Sequence, residues 1–309
     1  MNKQPDRQNS SALVTVIVPA YRAPAHLNAA LESVVKQTYS PIEIMVIDDA
    51  SGDEFTADYR LPRNARLICL KDRQGAAAIT RNIGVRESRG KYVAFLDQDD
   101  LWSVDKIEVQ VQALEAHPEA ALHYVHCLAV TESAETMRRQ PRARMPKDAL
   151  AAFLWANWVH PSQVMMRRSA IEEIGMFDES IRGASDWDMW LRTAALGPGA
   201  VIGDPRPLAK YRHHGGQWSR SDLMMVKASV AVIAKARGWV TDRRPDLRGL
   251  VRRRHGKWLR ELARVRMESG EELEQVWGVL GSAWRMSPLD WKVYRFMARA
   301  LWVRPTAKA

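Results

Sequence analysis

The sequence predicts an α/β protein with a mostly parallel central sheet, flanking helices and a helical C-terminal extension. Three observations carry this. Over the first 130 residues, short β-branched runs alternate with helical patterns of about a dozen residues, the signature of βαβ units. Those runs are almost continuously apolar, as strands covered on both faces must be. From residue 221 onward only helical patterning remains.

Taken in order, residues 1–11 are polar and expected to be disordered. Leu13–Pro19 (LVTVIVP) reads as the first buried strand, ended by Pro19. A helix follows, with Leu27, Ala30, Leu31, Val34 and Val35 on one face. Ile42–Ile47 is the second strand and runs into Asp48-Asp49. Phe55–Tyr59 suggests a short helix and Arg66–Leu70 a third strand. Gly75–Glu87 is a helix rich in small residues. Lys91–Leu96 is a fourth strand, Val104–Glu115 a helix with Ser103 as N-cap, and Leu122–Val130 a fifth strand. After Thr131 the rhythm changes. Residues 131–147 are polar and basic and read as a mobile loop. Helices are expected over Ala149–Trp155, over Ser169–Ile174 up to the stop at Gly175, and over Ser185–Ala195 with Ser185 as N-cap. Short strands are expected at Gln163–Arg167, Ala200–Ile202 and Leu208–Arg212. In the C-terminal helices, breaks fall near Gly238, at Arg243-Arg244-Pro245, near Gly270 and at Ser287-Pro288.

The 309 residues are 46% hydrophobic and 27% charged, ordinary for a globular chain able to bury a large core. The polar start has no apolar leader segment, and no stretch approaches the length of a membrane span, so neither is expected. Cys69 and Cys127 lie in apolar runs without CxxC spacing. They read as buried thiols in a reducing compartment, which points to the cytoplasm. The net charge of +10 is concentrated at one end: residues 220–309 hold 20 Lys+Arg against 9 Asp+Glu, and the rest is close to neutral. Such asymmetry suits an anionic surface met by one part of the chain, or simply a solvated helical face.

The chemistry-bearing stretch is KYVAFLDQDDLW, Lys91–Trp102, where a buried strand ends in Asp97, Asp99 and Asp100. Carboxylates this close repel one another unless a cation neutralises them. Mg²⁺ or Mn²⁺ commonly takes one or two carboxylates plus substrate phosphates. Alternatively, the acids serve the dipole of the following helix, which accounts for one or two of them but not all three. VIDDASGDE repeats the strand-then-acid pattern at Asp48-Asp49. There a carboxylate can accept a ring N–H of a base, or Asp49 and Ser51 can cap a helix. Pro19-Ala20-Tyr21 puts an aromatic at a strand end, suited to stacking on a base or to covering the sheet edge. Arg81-Asn82 can anchor the acidic strand tip. GxxxxGK[ST] and GxGxxG are both absent, which weighs against a phosphate-loop or dinucleotide site.

In this order, VTVIVPAY, LESVVKQTY, EIMVIDDASGDE, GAAAITRNIG, YVAFLDQDDLW, VMMRRSAIEEIGMFDES, GASDWDMWLR and YRHHGGQWS resemble the family 2 glycosyltransferases of GT-A fold. The likeness covers about two thirds of the chain, from about Ser11 to Ser219. It implies a GT-A domain over 12–219 with a donor half (12–130) and an acceptor half (131–219), followed by a basic helical region (220–309). It also implies inverting transfer of a sugar from a nucleotide-diphosphate donor, a UDP- or dTDP-sugar, to a hydroxyl of a glycan or lipid-linked acceptor in surface polysaccharide synthesis, with a divalent metal.

Carried over by position, Pro19, Tyr21 and Asp49 would hold base and ribose, with Gly75 and Ala76 near the base. Asp97 would contact the ribose or order the loop, Asp99 would bind the metal, and Asp100 would face the donor sugar. Asp186 occupies the place of the general base, although Ser185 stands where many relatives have Glu. His214 matches a histidine near the metal or diphosphate. Trp187, Trp190 and His160 are acceptor-side candidates, with core packing the alternative for the tryptophans.

Past Ser219 the resemblance helps little. There tryptophans and arginines recur together, as in LDWKVYRFMARALWVR, a pattern suited to a helix lying on an anionic membrane or to a bundle with outward arginines. Two other functions compete with this reading. A sugar nucleotidyltransferase would carry a Gly-rich basic loop where PAYRAPAH stands. A non-catalytic or nucleic-acid-binding role would rest on the C-terminal charge alone, and no nucleic-acid motif accompanies it.

Overall fold

The computed structural model describes residues 11–137, 146–213 and 222–302. Its centre is an eight-stranded sheet of β1 (Val14–Ala20), β2 (Ile42–Asp48), β3 (Ala65–Cys69), β4 (Tyr92–Phe95), β5 (Leu101–Trp102), β6 (Leu122–Val130), β7 (Val164–Arg167) and β8 (Val201–Arg212). The spatial order is β3-β2-β1-β4-β7-β6-β8-β5. Strands β3, β2, β1 and β4 are all parallel. The sheet is mixed beyond them: β7 runs antiparallel to both β4 and β6, β8 is parallel to β6, and β5 is antiparallel to β8.

This order has a mechanical consequence. The chain moves outward from β1 to β2 to β3, then returns to lay β4 on the other side of β1. Strand order therefore reverses at β1/β4, the place in an open α/β sheet where helices diverge and a crevice opens at the carboxyl ends.

The apolar runs are explained by burial on both faces. Val14, Val16 and Val18 join Ile44 and Val46 in one core beneath α1 (Pro24–Val35) and α4 (Lys106–Ala116). Ile17, Met45, Ile47, Val93 and Phe95 point the other way, into a second core with α3 (Ala77–Glu87), α5 (Ala149–Trp155) and α7 (Ser185–Ala194). Between β2 and β3 lies the short α2 (Asp53–Thr56), and after β7 the short α6 (Arg168–Glu173). The approach of α3 to β1 depends on one residue. A Cβ at Gly84 would sit 2.6 Å from Ile17 Cγ2, so only glycine fits.

The C-terminal helices are α8 (Asp222–Arg243), α9 (Arg248–Glu268), α10 (Leu273–Met286) and α11 (Trp291–Trp302). Ala228, Val232, Ile233 and Ala236 of α8 share the second core with Trp187 and Met189 of α7, so the first of these helices packs directly on the sheet-bearing part.

Several sequence expectations are corrected. Gly238 does not break α8, because packing of Val232, Ala236 and Val240 holds the helix together through it. Ala200–Ile202 and Leu208–Arg212 are one bulged strand, β8, paired along β6. Ser103 is no N-cap: α4 begins at Lys106 and Asp105 precedes it without a side-chain cap. Nor does Ser185 cap α7, where it is the first helical residue. Cys127 is buried, but Cys69 is exposed, because β3 is an edge strand.

Candidate active site

The crevice is built at the ends of β1, β2 and β4. Ala20 pairs with Asp48 in the β1/β2 ladder. Asp48 is buried and accepts Ser51 N–H at 2.8 Å, Ser51 Oγ–H at 2.5 Å and Tyr59 O–H at 2.7 Å, closing a tight turn. Two non-glycine residues there have left-handed backbones, Arg22 at φ 46° and Ala50 at φ 58°. Such conformations persist where surrounding bonds enforce them, often at ligand sites. Arg22 N–H donates to Ser51 Oγ at 2.9 Å.

Asp49, also buried, turns its carboxylate to the next segment, accepting Gln74 N–H at 2.7 Å and Gly75 N–H at 2.8 Å. It thus carries Gly75 (φ 60°) and Ala76, the residue before α3, to the rim beside the half-buried Pro19 and Tyr21. The structure brings these five expected donor residues together. It adds Arg73, whose guanidinium lies 4.3 Å from the Tyr21 ring centroid and which sequence reasoning did not single out.

After β4 comes the acidic turn. Asp97 forms an ion pair with Arg81, as the Arg81-Asn82 reading anticipated, and donates its N–H to Ser162 Oγ at 3.1 Å. Asn82 instead fastens the approach to α7, exchanging hydrogen bonds with the backbone of Phe177 at 2.9 and 3.0 Å. Gln98 locks to the end of β1: Tyr21 N–H donates to Gln98 Oε1 at 2.8 Å, and Gln98 Nε2 donates to Tyr21 O at 3.1 Å. Asp100 is 1% exposed and accepts Ser162 Oγ–H at 2.5 Å and Arg212 N–H at 3.1 Å. It therefore faces inward rather than toward a donor sugar. Burial, then the charges of Asp99 and Asp97, hold its carboxyl well above the usual range.

Asp99 is half-buried. Among the described residues no three His, Cys, Asp or Glu side chains cluster to hold a metal, and His214 lies outside them. The residues present still fit a hard divalent ion shared with phosphate oxygens: three carboxylates crowd one turn, and a cation at Asp99 would relieve the like charge that Asp99 and Asp97 press on Asp100.

Across the crevice, Asp186 sits half-buried in the first turn of α7. Asn157 Nδ2 donates to its Oδ2 at 3.0 Å. Crowding in the crevice raises its pKa, opposed by the Asn157 bond, the Arg81 charge, the Trp187 N–H and His160. The His160 ring stacks on Tyr211 with centroids 4.6 Å apart. Although exposed at the crevice rim, it is crowded on its inner side, and this desolvation lowers its pKa against the pull of Asp186 and Asp97.

Trp187 and Trp190 are not an acceptor platform. Both are buried in the core, donating Nε1–H to Phe153 O at 2.7 Å and Val159 O at 3.0 Å. Arg81 joins the two halves. It is 6% exposed, pairs with Asp97, and its charge also reaches Asp186. Asn157 and Ser162 were missed in the sequence. The signal available was their place around His160 in NWVHPSQ, a polar stretch between two apolar elements.

The sequence profile of glycosyl transferase family 2 matches residues 15–175, more than half of the chain. An uncharacterized glycosyltransferase of Rickettsia prowazekii, RP339, is 28% identical over 218 residues, covering 69% of this chain and 68% of that protein. The UDP-Glc:alpha-D-GlcNAc-diphosphoundecaprenol beta-1,3-glucosyltransferase WfaP of Escherichia coli is 38% identical over 105 residues, 33% of this chain and 41% of that one. Among solved structures, the mannosyltransferase PcManGT of Pyrobaculum calidifontis in complex with GDP-Man and Mn²⁺ superposes with a TM-score of 0.61 at 20% identity, over 94% of this chain and 87% of that one. The fold is thus that of the GT-A glycosyltransferases. With the family profile spanning the ends of β1, β2 and β4 and the acidic turn, the chain belongs to glycosyl transferase family 2 and is a glycosyltransferase.

Proposed function

We propose that this glycosyltransferase moves a sugar, with inversion, from a UDP- or dTDP-sugar to a hydroxyl of a glycan or lipid-linked acceptor in cell-envelope polysaccharide synthesis. The observation that carries the reading is the buried Arg81, paired with Asp97 at the donor edge while its charge reaches Asp186. A carboxylate of raised pKa therefore faces the acidic turn across a single residue.

In this reading Asp186 accepts the proton of the acceptor hydroxyl as its oxygen bonds to the anomeric carbon. The bond from that carbon to the diphosphate breaks on the opposite face, and the nucleoside diphosphate leaves. Asn157 keeps one Asp186 oxygen oriented, so the other points to the acceptor. Tyr21, Pro19, Arg73 and the Asp49-held Gly75 segment receive the nucleoside. Asp99, with His214 as the notional second ligand, would hold a divalent cation, Mn²⁺ or Mg²⁺, which when bound would supply a hard positive charge to the donor's diphosphate. The diphosphate-lipid acceptor and UDP-sugar donor in WfaP's name, and the nucleotide sugar and Mn²⁺ held by PcManGT, support the donor and acceptor classes.

The C-terminal helices are proposed to lie on the inner face of the cell membrane. No helix among the described residues is long and apolar enough to cross a membrane. On α11, however, Trp291 is 62% exposed and Leu301 74%, beside Tyr294, Arg295 and Arg299. Such a face suits an anionic bilayer surface. The deciding experiment titrates the protein calorimetrically with UDP- and dTDP-sugars, with and without Mn²⁺, and then follows transfer to a lipid-linked glycan. Absence of any nucleotide-sugar binding would sink the reading.

A further inference from the structure

A second cavity of about 480 Å³ lies between the segment leading into α7 and the first half of α8. Its apolar lining includes Ile181, Leu223, Met224 and Ala231, and its polar lining includes two cations, Arg182 and Lys227. Neither cation forms an ion pair among the described residues, unlike the nearby Lys235, which is held by Asp178 and Asp188. An arginine and a lysine over an apolar floor are matched by neither a bare anion nor a plain hydrocarbon. A bare anion would gain nothing from the floor, and a hydrocarbon would leave both charges unanswered.

The location matters equally. Arg182 precedes Asp186 by four residues, and its Nη1 lies 4.0 Å from where a Cβ on Gly75 would stand. The cavity therefore adjoins the seam between the donor rim and the acceptor carboxylate. Its volume is in the range of ligand clefts, about 300–1,000 Å³.

From this juxtaposition we infer that the cavity is the seat of a lipid phosphate, an anionic head on an aliphatic chain. Arg182 and Lys227 grip the phosphate oxygens and the floor takes the first carbons of the chain. The inference rests on the acceptor class proposed above and specifies where its lipid anchor sits. A sugar attached to that phosphate has a short reach to Asp186, while the chain runs away along α8. Arg182 suits the task because its planar donors engage two phosphate oxygens at once.

The test uses the full-length protein, saturated with UDP and Mn²⁺ so that the donor rim is filled, and farnesyl phosphate as the calorimetric probe. Wild-type protein is expected to bind the probe at least about tenfold more tightly than inorganic phosphate or farnesol, because head and chain each contribute. The double variant Arg182→Glu/Lys227→Glu is expected to lose about tenfold or more in probe affinity while keeping its melting temperature, since both side chains are exposed. Ala231→Trp, which fills the floor without altering charge, is expected to weaken farnesyl phosphate but not inorganic phosphate. Unchanged probe affinity in both variants, or phosphate binding as tightly as farnesyl phosphate, overturns the inference. So does a double variant that loses phosphatidylglycerol vesicles in step with the probe, because the cations would then serve the bilayer rather than the acceptor. A UDP titration on every variant keeps the two readings separate: failure of UDP to bind wild-type protein counts against the donor assignment, whereas loss of the probe alone bears only on the cavity.

Discussion

Gln98 and Tyr21, 77 residues apart in sequence, exchange two hydrogen bonds in which the Gln98 side-chain amide satisfies both the N–H and the C=O of Tyr21. The end of β1 is thus fastened to the acidic turn after β4, across the crevice where strand order reverses. Tyr21 and the acidic turn are thereby set at one fixed separation.

Gln98→Ala removes both bonds and leaves a half-buried Tyr21 N–H unpaired. The expected cost is about 1–3 kcal/mol, read as a fall in melting temperature. The KM for nucleotide sugar is expected to rise with little change in the acceptor KM.

Asp186→Asn keeps the side chain's shape and removes its basicity. Calorimetric donor affinity is expected to stay within about twofold, while the transfer rate falls by about 10²–10⁴. Wild-type transfer in this variant would show that the proton goes elsewhere.

The pKa of Asp186 is raised by crowding, and the Asn157 hydrogen bond partly offsets that by favouring the charged form. A base works when deprotonated, so activity should fall as pH drops through this pKa. Asn157→Ala removes the offset and raises the pKa further. The acidic limb of the kcat–pH profile is therefore expected to move to higher pH, with the melting temperature near wild type. An unmoved limb would mean that Asn157 does not tune this carboxylate.

Asp99→Ala is expected to abolish the Mn²⁺-dependent gain in UDP affinity while leaving metal-free UDP binding in place. Titrations with and without EDTA read this directly. A metal-dependent gain that survives the substitution would move the ion to other ligands.

Gly84→Ala places a methyl 2.6 Å from Ile17 Cγ2 between α3 and β1, where neither element can retreat from a packed core. The expected destabilisation is about 1–3 kcal/mol by denaturant titration. The same helix carries Arg81, so a displaced α3 should also weaken donor binding.

Much of this was legible in the sequence because it is local. Val14–Val18 and Ile44–Ile47 are almost wholly apolar because both faces of their strands are covered, and the acids after the second run mark the end of its strand. Arg81 was readable as a partner of the acidic tip because a helix returning along β1 brings that turn beside it. What escaped depends on long-range pairing. The fusion of two short apolar runs into β8 is dictated by β6, and β5 exists only because β8 lies beside it. Trp187 and Trp190 closely follow Asp186 in sequence, yet both are buried in the core, where Phe153 O and Val159 O accept their Nε1–H groups. Asp100 was expected to face the donor sugar, but Ser162, 62 residues on, and the Arg212 N–H hold it inward. Nothing near Asn157 announces its partner 29 residues later.

The stretch from Asn157 to Ser162 touches Asp186 at one end, Tyr211 in the middle and both Asp97 and Asp100 at the other. It acts as a ruler. Its length in peptide units sets the gap between the Asp186 carboxylate and the acidic turn after β4, and the buried turn Pro161–Gln163 keeps it from stretching. An enzyme built on such a gauge can change which sugar it accepts by altering what lines the crevice. It cannot lengthen the gauge without dragging the acidic turn out of register.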